Sequence, residues 1–437
     1  MDSHPVRRVA PGKRCEPHLQ VYIIPSTRAA LPGLLGKLSE GYTMDYPHAL
    51  RVFLCVMAAA IPAFADKPPL DCSKKSLAGA VEDAGTGDTI QFTGVCKGPI
   101  VVRADGLTLT GVGTAIVDGN GQNAVTVAGG HGVVLSQVEV RNGASGIIGV
   151  NGAHFTLKDV NVHDNAVFGI SLQTASSATL AGVTTSGNKL HGLDLQTGSA
   201  ATITGTFSST ANRVFGINVN GSSLTFSSAA VTVSGNALGI QIATAGNAFI
   251  NDSNTVINVI NNLAVGLTVV SGAHMVSFGG TINASGNPVT GVSVNSKAGL
   301  DLDAGSQLNV FNNGDGVVLQ EASVMTVFNT PQFSGVPGFS TVNSHNNQLN
   351  GVRVQTGSTL TLSNQAKVIS TQNARTGLIG DNGVGVTLVN STLMGNAVKD
   401  LQLTFGTRAD LQTLTLGTYT CDATVLVRGN SGIVCPH

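Results

Sequence analysis

Aliphatic and polar residues alternate along most of the chain, in short runs that each follow a glycine. Gly146-Ile147, Gly169-Ile170, Gly192-Leu193, Gly216-Ile217, Gly239-Ile240, Gly266-Leu267, Gly291-Val292, Gly316-Val317, Gly351-Val352 and Gly385-Val386 open these runs. The steps between them are 23 to 27 residues, except the last two, which are 35 and 34. Period-two alternation predicts a strand with one buried face. Asn165, Asn188, Asn212, Asn262, Asn287, Asn312 and Asn347 stand four residues before the glycine, and Asn236 stands three before. Asn tolerates turn geometry and bonds to backbone there. Gly permits a backbone conformation that a Cβ resists. One rung per repeat brings the same position back about 4.8 Å further along an axis. Asn then stacks on Asn, each amide bonding the next, and aliphatics stack into a continuous core. The unit is therefore the coil of a parallel β-helix, a solenoid whose coils touch only their neighbours. From Gly98 to Gly406 the repeat length gives roughly 12 coils. Each of the two long steps reads as one coil plus loop residues, with Pro331 and Pro337 marking the first loop.

Open solenoid ends expose unpaired strand edges and need covering. Ser73 can cap a helix with Leu77, Ala80, Val81 and Ala84 on one face, ended by Gly85. This predicts an N-terminal α-helical cap. After residue 65 there are four cysteines, Cys72, Cys96, Cys421 and Cys435, which allow three pairings. Proximity favours Cys72–Cys96 and Cys421–Cys435, each clamping one end. A zinc site is the weaker alternative, because Cys-x-x-Cys spacing is absent. Disulfides imply an oxidising compartment. The first 65 residues fit that expectation. Arg51, the apolar run 52–60 and Ala63-Phe64-Ala65 form the pattern of a signal peptide beginning at Met44. The run is too short for a transmembrane helix, and no later stretch is long and apolar enough for one. The expected organisation is a non-native upstream extension over 1–43, a signal peptide over 44–65, a cap with helix and disulfide over 66–97, the β-helix over 98–406 and a disulfide-closed cap over 407–437. The expected location is the periplasm or the cell exterior.

Composition narrows the function classes. Charged residues are 11% of the 437, against about a quarter in ordinary soluble domains, and the net charge is −1. Without a basic excess the chain is not a nucleic-acid binder. At 42% hydrophobic it is not disordered.

The Cys72-to-Cys96 segment with Gly87-Asp88-Thr89-Ile90, the Asn-x-x-x-Gly-aliphatic coils and the Cys421…Cys435 closure resemble the right-handed parallel β-helix proteins of the pectate-lyase-like superfamily. The resemblance covers nearly all of 66–437. It implies an all-β, right-handed, single-stranded parallel β-helix. It also implies a superfamily that includes polysaccharide lyases, glycoside hydrolases, epimerases, phage tailspikes and adhesins, so fold does not assign function. The polygalacturonases of that group carry Gly-His-Gly with Asn-Thr-Asp, Asp-Asp and Arg-x-Lys segments. Only Gly130-His131-Gly132 is present, and acid/base hydrolysis needs paired carboxylates. His131 therefore reads as a turn histidine. Pectate lyases bind Ca²⁺ through clustered carboxylates. Asp159, Asp164 and Asp194 are scattered, while Asp301 and Asp303 alternate with Leu300 and Leu302 as on a solvated strand face. No cofactor is expected, with Ca²⁺ entering only if the chain is a lyase.

Two sets of candidate residues remain. Lys189 and Arg213 each stand three residues before a repeat glycine, so they fall at the same turn on adjacent coils. Like charges that close repel unless an anion lies between them. With His191 and with Asp194, which falls between Ser171 and Asn218, they are the candidate patch for an acidic sugar. Lys189 or Arg213 is its candidate base, and a solvated turn with Asp194 as counterion is the structural alternative. The second set is the last outward position of the repeat strand, where Gln173, Gln196, Asn220, Asn295, Gln320 and Gln355 are amides, interrupted only by Ala243 and Val270. These amides can bond each other along the stack or present themselves to sugar hydroxyls. The absence of Trp argues against an aromatic sugar platform. The leading reading is an exported, non-catalytic module that contacts glycan or another surface. The alternatives are a lyase or epimerase acting on an acidic polysaccharide, and a purely structural or adhesive solenoid.

Overall fold

The computed structural model describes residues 68–330 and 338–436. The extension and signal peptide expected over 1–65 lie outside them. The fold is all-β, a right-handed parallel solenoid of about 14 coils. One strand from each coil builds a 14-stranded sheet running from Ile100–Val102 to Tyr419–Cys421. The remaining strands form a 23-stranded sheet, and every pairing is parallel. Early coils cross that second sheet as single long strands such as Ser177–Ser186 and Ala200–Thr210. Ser223–Ser234 pairs with both Asn247–Ile250 and Val256–Ile260, and from there each long strand becomes two short ones. A kink enters where the register shifts beside Gly205, whose φ of 64° places it in the left-handed region.

The core is a stack of like on like. Ile147, Ile170, Leu193, Ile217, Ile240, Leu267, Val292, Val317, Val352, Leu378 and Leu401 face one another coil by coil, each at most 2% exposed. Each aliphatic side chain therefore sits between two others, and its burial is the main favourable term for each coil.

The expected Asn stack is present and continuous. Asn165, Asn188, Asn212, Asn236, Asn262, Asn287, Asn313, Asn347, Asn373 and Asn396 are all buried. Each Nδ2 donates to the Oδ1 of the next at 2.9 to 3.2 Å, and each backbone N–H does the same at 2.8 to 3.2 Å. The last amide, Asn396, donates to Asp400 Oδ1 at 2.8 Å. A chain of donors ends properly on a pure acceptor. Burial pushes the Asp400 carboxyl up, but bonds from Asn396 and Thr418 outweigh it and hold the group below its ordinary value.

Four expectations need correction. The stack has about 14 coils rather than roughly 12, because strands pair well into both end segments, at Thr89–Lys97 and as far as Leu426–Gly429. The 351-to-385 step is not one coil. Gly377-Leu378 is the partner of Gly351-Val352, and Gly385-Val386 lies on the other sheet. The rung before Asn347 is Asn313, not Asn312. The helical cap is absent as a lid. The only helix among the described residues, Leu77–Glu82, has six residues and spans about 9 Å. Its N-cap is Ser76, whose Oγ accepts from Gly79 N–H at 3.2 Å, while Ser73 bonds to Asp71. Both expected disulfides form, Cys72–Cys96 and Cys421–Cys435. Among the described residues no helix is long and apolar enough to cross a membrane.

Candidate functional site

In the strand His191–Gln196, Leu193 and Leu195 point into the core while His191, Asp194 and Gln196 share the outward face. Register places Asp194 between Ser171 and Asn218, as the repeat predicts. Asp194 is fully buried even so. It accepts from Ser171 Oγ at 3.3 Å, Gln196 Nε2 at 2.7 Å and Asn218 Nδ2 at 2.8 Å. Burial pushes its carboxyl up, and these three donors pull the other way.

His191 lies in the column of Phe168 and Phe215. Its ring centroid is 5.5 Å from one and 5.0 Å from the other. This strip of three rings on successive coils is invisible to a search for Trp. The signal was a column of aromatic residues around the repeat glycine, Phe168, His191 and Phe215. The His191 ring is buried, its Nδ1 accepts the Phe215 N–H at 3.3 Å, and its Nε2 is 4.0 Å from Asp194 Oδ1. With Nδ1 accepting, the neutral ring carries its proton on Nε2 and has no lone pair for a ligand proton. Burial lowers its pKa to about 4. The folded state thus takes up the proton later than the unfolded chain. Stability contributed by neutral His191 is full above about pH 6.5 and is lost as the pH falls towards 4. We expect about 3 kcal/mol of acid destabilisation over that window. A His191→Phe variant should flatten it in chemical melts at pH 7, 5.5 and 4. An unchanged slope would place the acid sensitivity elsewhere.

Lys189 and Arg213 are exposed at the turn one residue beyond the bonded pair Asn188 and Asn212. Among the described residues neither forms an ion pair, and neither reaches Asp194 within 4.0 Å. The structure therefore joins His191 to Asp194 and leaves the two cations outside that buried cluster.

The amide row turns mostly sideways. Gln173 Nε2 donates to Ser171 Oγ at 3.1 Å, Gln196 to Asp194 and Asn295 to Ser293 Oγ at 3.3 Å. Asn220 faces Gln196 in register and is exposed. Bonding from coil to coil within this row occurs once among the described residues, where Gln355 Nε2 donates to Gln320 Oε1 at 2.9 Å. His131 is exposed at a strand start, where its N–H donates to Asp105 at 2.8 Å. Asp301 is outward, 3.0 Å from His274 Nε2. Asp303, expected on a solvated face, is instead buried and accepts the Thr330 N–H and hydroxyl at 2.7 and 2.8 Å. Among the described residues no three His, Cys, Asp or Glu side chains gather where they could share an ion.

The same sheet face opens into a cavity of about 480 Å³ in the later coils. Asn350, Arg353, Arg375, Thr376 and Gln402 supply its polar lining, with Leu349 and Val398 at its edge. Register places Arg353 beside Ile379 and Ile379 beside Gln402 on successive coils. Arg353 Nη1 is held by buried Asp315 at 2.8 Å, and Nη2 donates to Gln355 at 3.0 Å. Asp315 also accepts from Asn350 Nδ2 at 2.8 Å. Arg375, by contrast, is exposed at the turn and has no ion pair with a described carboxylate. Neither arginine stands at the repeat position of Lys189, so spacing alone did not single them out.

Residues 100–278 match the family model described as a right-handed β-helix region. No curated protein matches the chain. Among solved structures it is similar to the A-module of the mannuronan C-5 epimerase AlgE6 of Azotobacter vinelandii. The identity there is 16% over 80% of this chain and 93% of that one, with a TM-score of 0.45. It is similar to a chain of the complex of Vag8 with C1 inhibitor at 13% identity, over 81% of this chain and 94% of that one, with a TM-score of 0.46. The periplasmic alginate epimerase AlgG is 11% identical over 90% of this chain and 100% of that one, with a TM-score of 0.36.

Proposed function

On a right-handed parallel β-helix of the pectate-lyase-like fold, we propose a non-catalytic module that holds an acidic polysaccharide along the outward face of the 14-stranded sheet. The observation that carries this reading is the cavity bearing Arg353 and Arg375. Arg375 offers a planar donor fork with no carboxylate partner of its own, which suits a uronate carboxylate. Gln402 adds a donor and an acceptor for hydroxyls. The amides and the ring strip over Phe168–Asn220 extend the same face. Proton abstraction finds little support there, because His191 spends its lone pair on backbone and Asp194 is buried under three donors. The two disulfides fit an exported protein in the periplasm or outside the cell.

The test is affinity electrophoresis of the full chain, disulfides formed, through gels containing polygalacturonate or a neutral galactan. Retardation by the acidic polymer alone is expected, weakening as salt rises. Arg375→Gln should weaken retention measurably with an unchanged melting temperature. Arg353→Gln is the wrong probe, because it strands buried Asp315 and destabilises the fold. Equal retention of wild type and Arg375→Gln would sink the assignment of the cavity. The ultraviolet absorbance of an unsaturated uronate would overturn the non-catalytic reading.

A further inference from the structure

A second cavity, of about 470 Å³, opens on the other sheet near the C-terminal end. Its cause is a missing side chain. Thr359, Gly385, Arg408 and Leu426 form one column across four coils, and Gly385 leaves a gap in it. The neighbouring column is Thr361, Thr387, Asp410 and Arg428. Arg408 and Arg428 are therefore diagonal neighbours at the cavity, one strand across and two residues along, about 8 Å apart at the backbone. Both are exposed, and neither has an ion pair within 4.0 Å among the described residues, although Asp410 stands directly opposite Arg428. Asp410 accepts instead from Gln412 Nε2 at 3.1 Å.

This lining selects a ligand class. Two guanidinium forks without partners suit a carboxylate. A carboxylate such as Asp410 only accepts, so it requires hydroxyl or amine donors on the ligand and repels a bare inorganic anion. Leu426, 46% exposed, offers an apolar surface to a ring's C–H face. A sugar acid supplies all three features in one residue. We propose that this cavity is a separate binding site for a carboxylate-bearing sugar, with the carboxylate between Arg408 and Arg428 and hydroxyls donating to Asp410. The proposal does not rest on the function assigned to the 14-stranded sheet.

Titration calorimetry on the full chain carrying Arg375→Gln weakens the first cavity and so reports mainly on the second. A galacturonate tetramer is expected to bind, and its affinity should fall at least tenfold in Arg408→Gln, in Arg428→Gln and in Gly385→Val. The valine fills the gap without backbone strain, since Gly385 has no positive φ and its Cβ would lie 3.4 Å from Thr359 Cγ2. The two arginines are exposed, so their variants should melt with the parent and keep the test valid if the valine variant does not fold. Tetramer affinity unchanged in both arginine variants overturns the proposal. Acetate or sulfate binding as tightly as the tetramer overturns the sugar part of it. A neutral galactose tetramer binding equally overturns the role of the arginines.

Discussion

Asn212→Ala is expected to lower the stability of the central coils by about 2–6 kcal/mol. Asn212 Oδ1 accepts both the Asn188 N–H, at 3.1 Å, and Asn188 Nδ2, at 2.9 Å. Its own Nδ2 donates to Ser209 Oγ and to Asn236 Oδ1, each at 3.0 Å. Truncation leaves two buried donors of Asn188 without an acceptor, and each orphaned donor costs about 1–3 kcal/mol. Asn212→Asp separates the donor role from the acceptor role. An ionised carboxylate still accepts from Asn188, but it sets an oxygen against Asn236 Oδ1 and carries a buried charge. Burial raises such a carboxyl, so the variant should regain stability as the pH falls through its folded-state pKa, where the protonated acid can donate as the amide does. Chemical melts at pH 7 and 4, with hydrogen exchange to locate the loss, check both variants. Coils contact only their neighbours, so fast exchange should be confined to the coils around Asn212. An alanine variant within 1 kcal/mol of wild type would mean that the ladder contributes no net stability.

The ladder was readable because it repeats. A position that recurs every 23 to 27 residues declares its own stacking, and the aliphatic columns and the neighbours of Asp194 followed from the same count. What failed was whatever the period does not encode. Gly385 shares the dipeptide of the repeat glycines but lies on the other sheet, and only pairing distinguishes it from Gly377. The candidate patch mixed residues of different fates. Lys189 and Asp194 are five residues apart, yet one is exposed and the other fully buried. Outwardness along a strand does not mean solvent, because flanking side chains such as Gln196 can close over a short carboxylate. Arg353 and Arg375 escaped notice because their significance lies in partners. Arg353 is occupied by Asp315, which is 38 residues away in sequence. The helical cap failed for a local reason: the run Leu77–Glu82 is too short to roof a coil.

Gly216→Ala is the second large effect, and it tests why the repeat contains glycine at all. Conformational freedom was the expectation, yet Gly216 has no positive φ. A Cβ there would press on Val233 Cγ1 and lie 2.7 Å from Asn236 Nδ2 and 3.0 Å from the Gly239 carbonyl oxygen. A Cβ at Gly169 would likewise lie 2.7 Å from the Gly192 carbonyl oxygen, and one at Gly192 2.7 Å from that of Gly216. The glycine is thus required by close approach: each coil lays its backbone against the next at this point, beside the ladder amide. Overpacking a tight core costs about 1–3 kcal/mol and more where the contact is backbone. We expect at least 3 kcal/mol, because the methyl also displaces Asn236 from its bonds. Gly198→Ala is the control for the other cause. Its φ is 71° with nothing within 4 Å of the added carbon, so only the left-handed backbone cost of about 1–2 kcal/mol applies. Steric origin has a further consequence. The two changes Gly216→Ala and Asn236→Ala share one contact, so together they should cost less than the sum of the separate losses. Strict additivity in urea melts, or a Gly216→Ala loss no greater than that of Gly198→Ala, would return the repeat glycine to a purely conformational role.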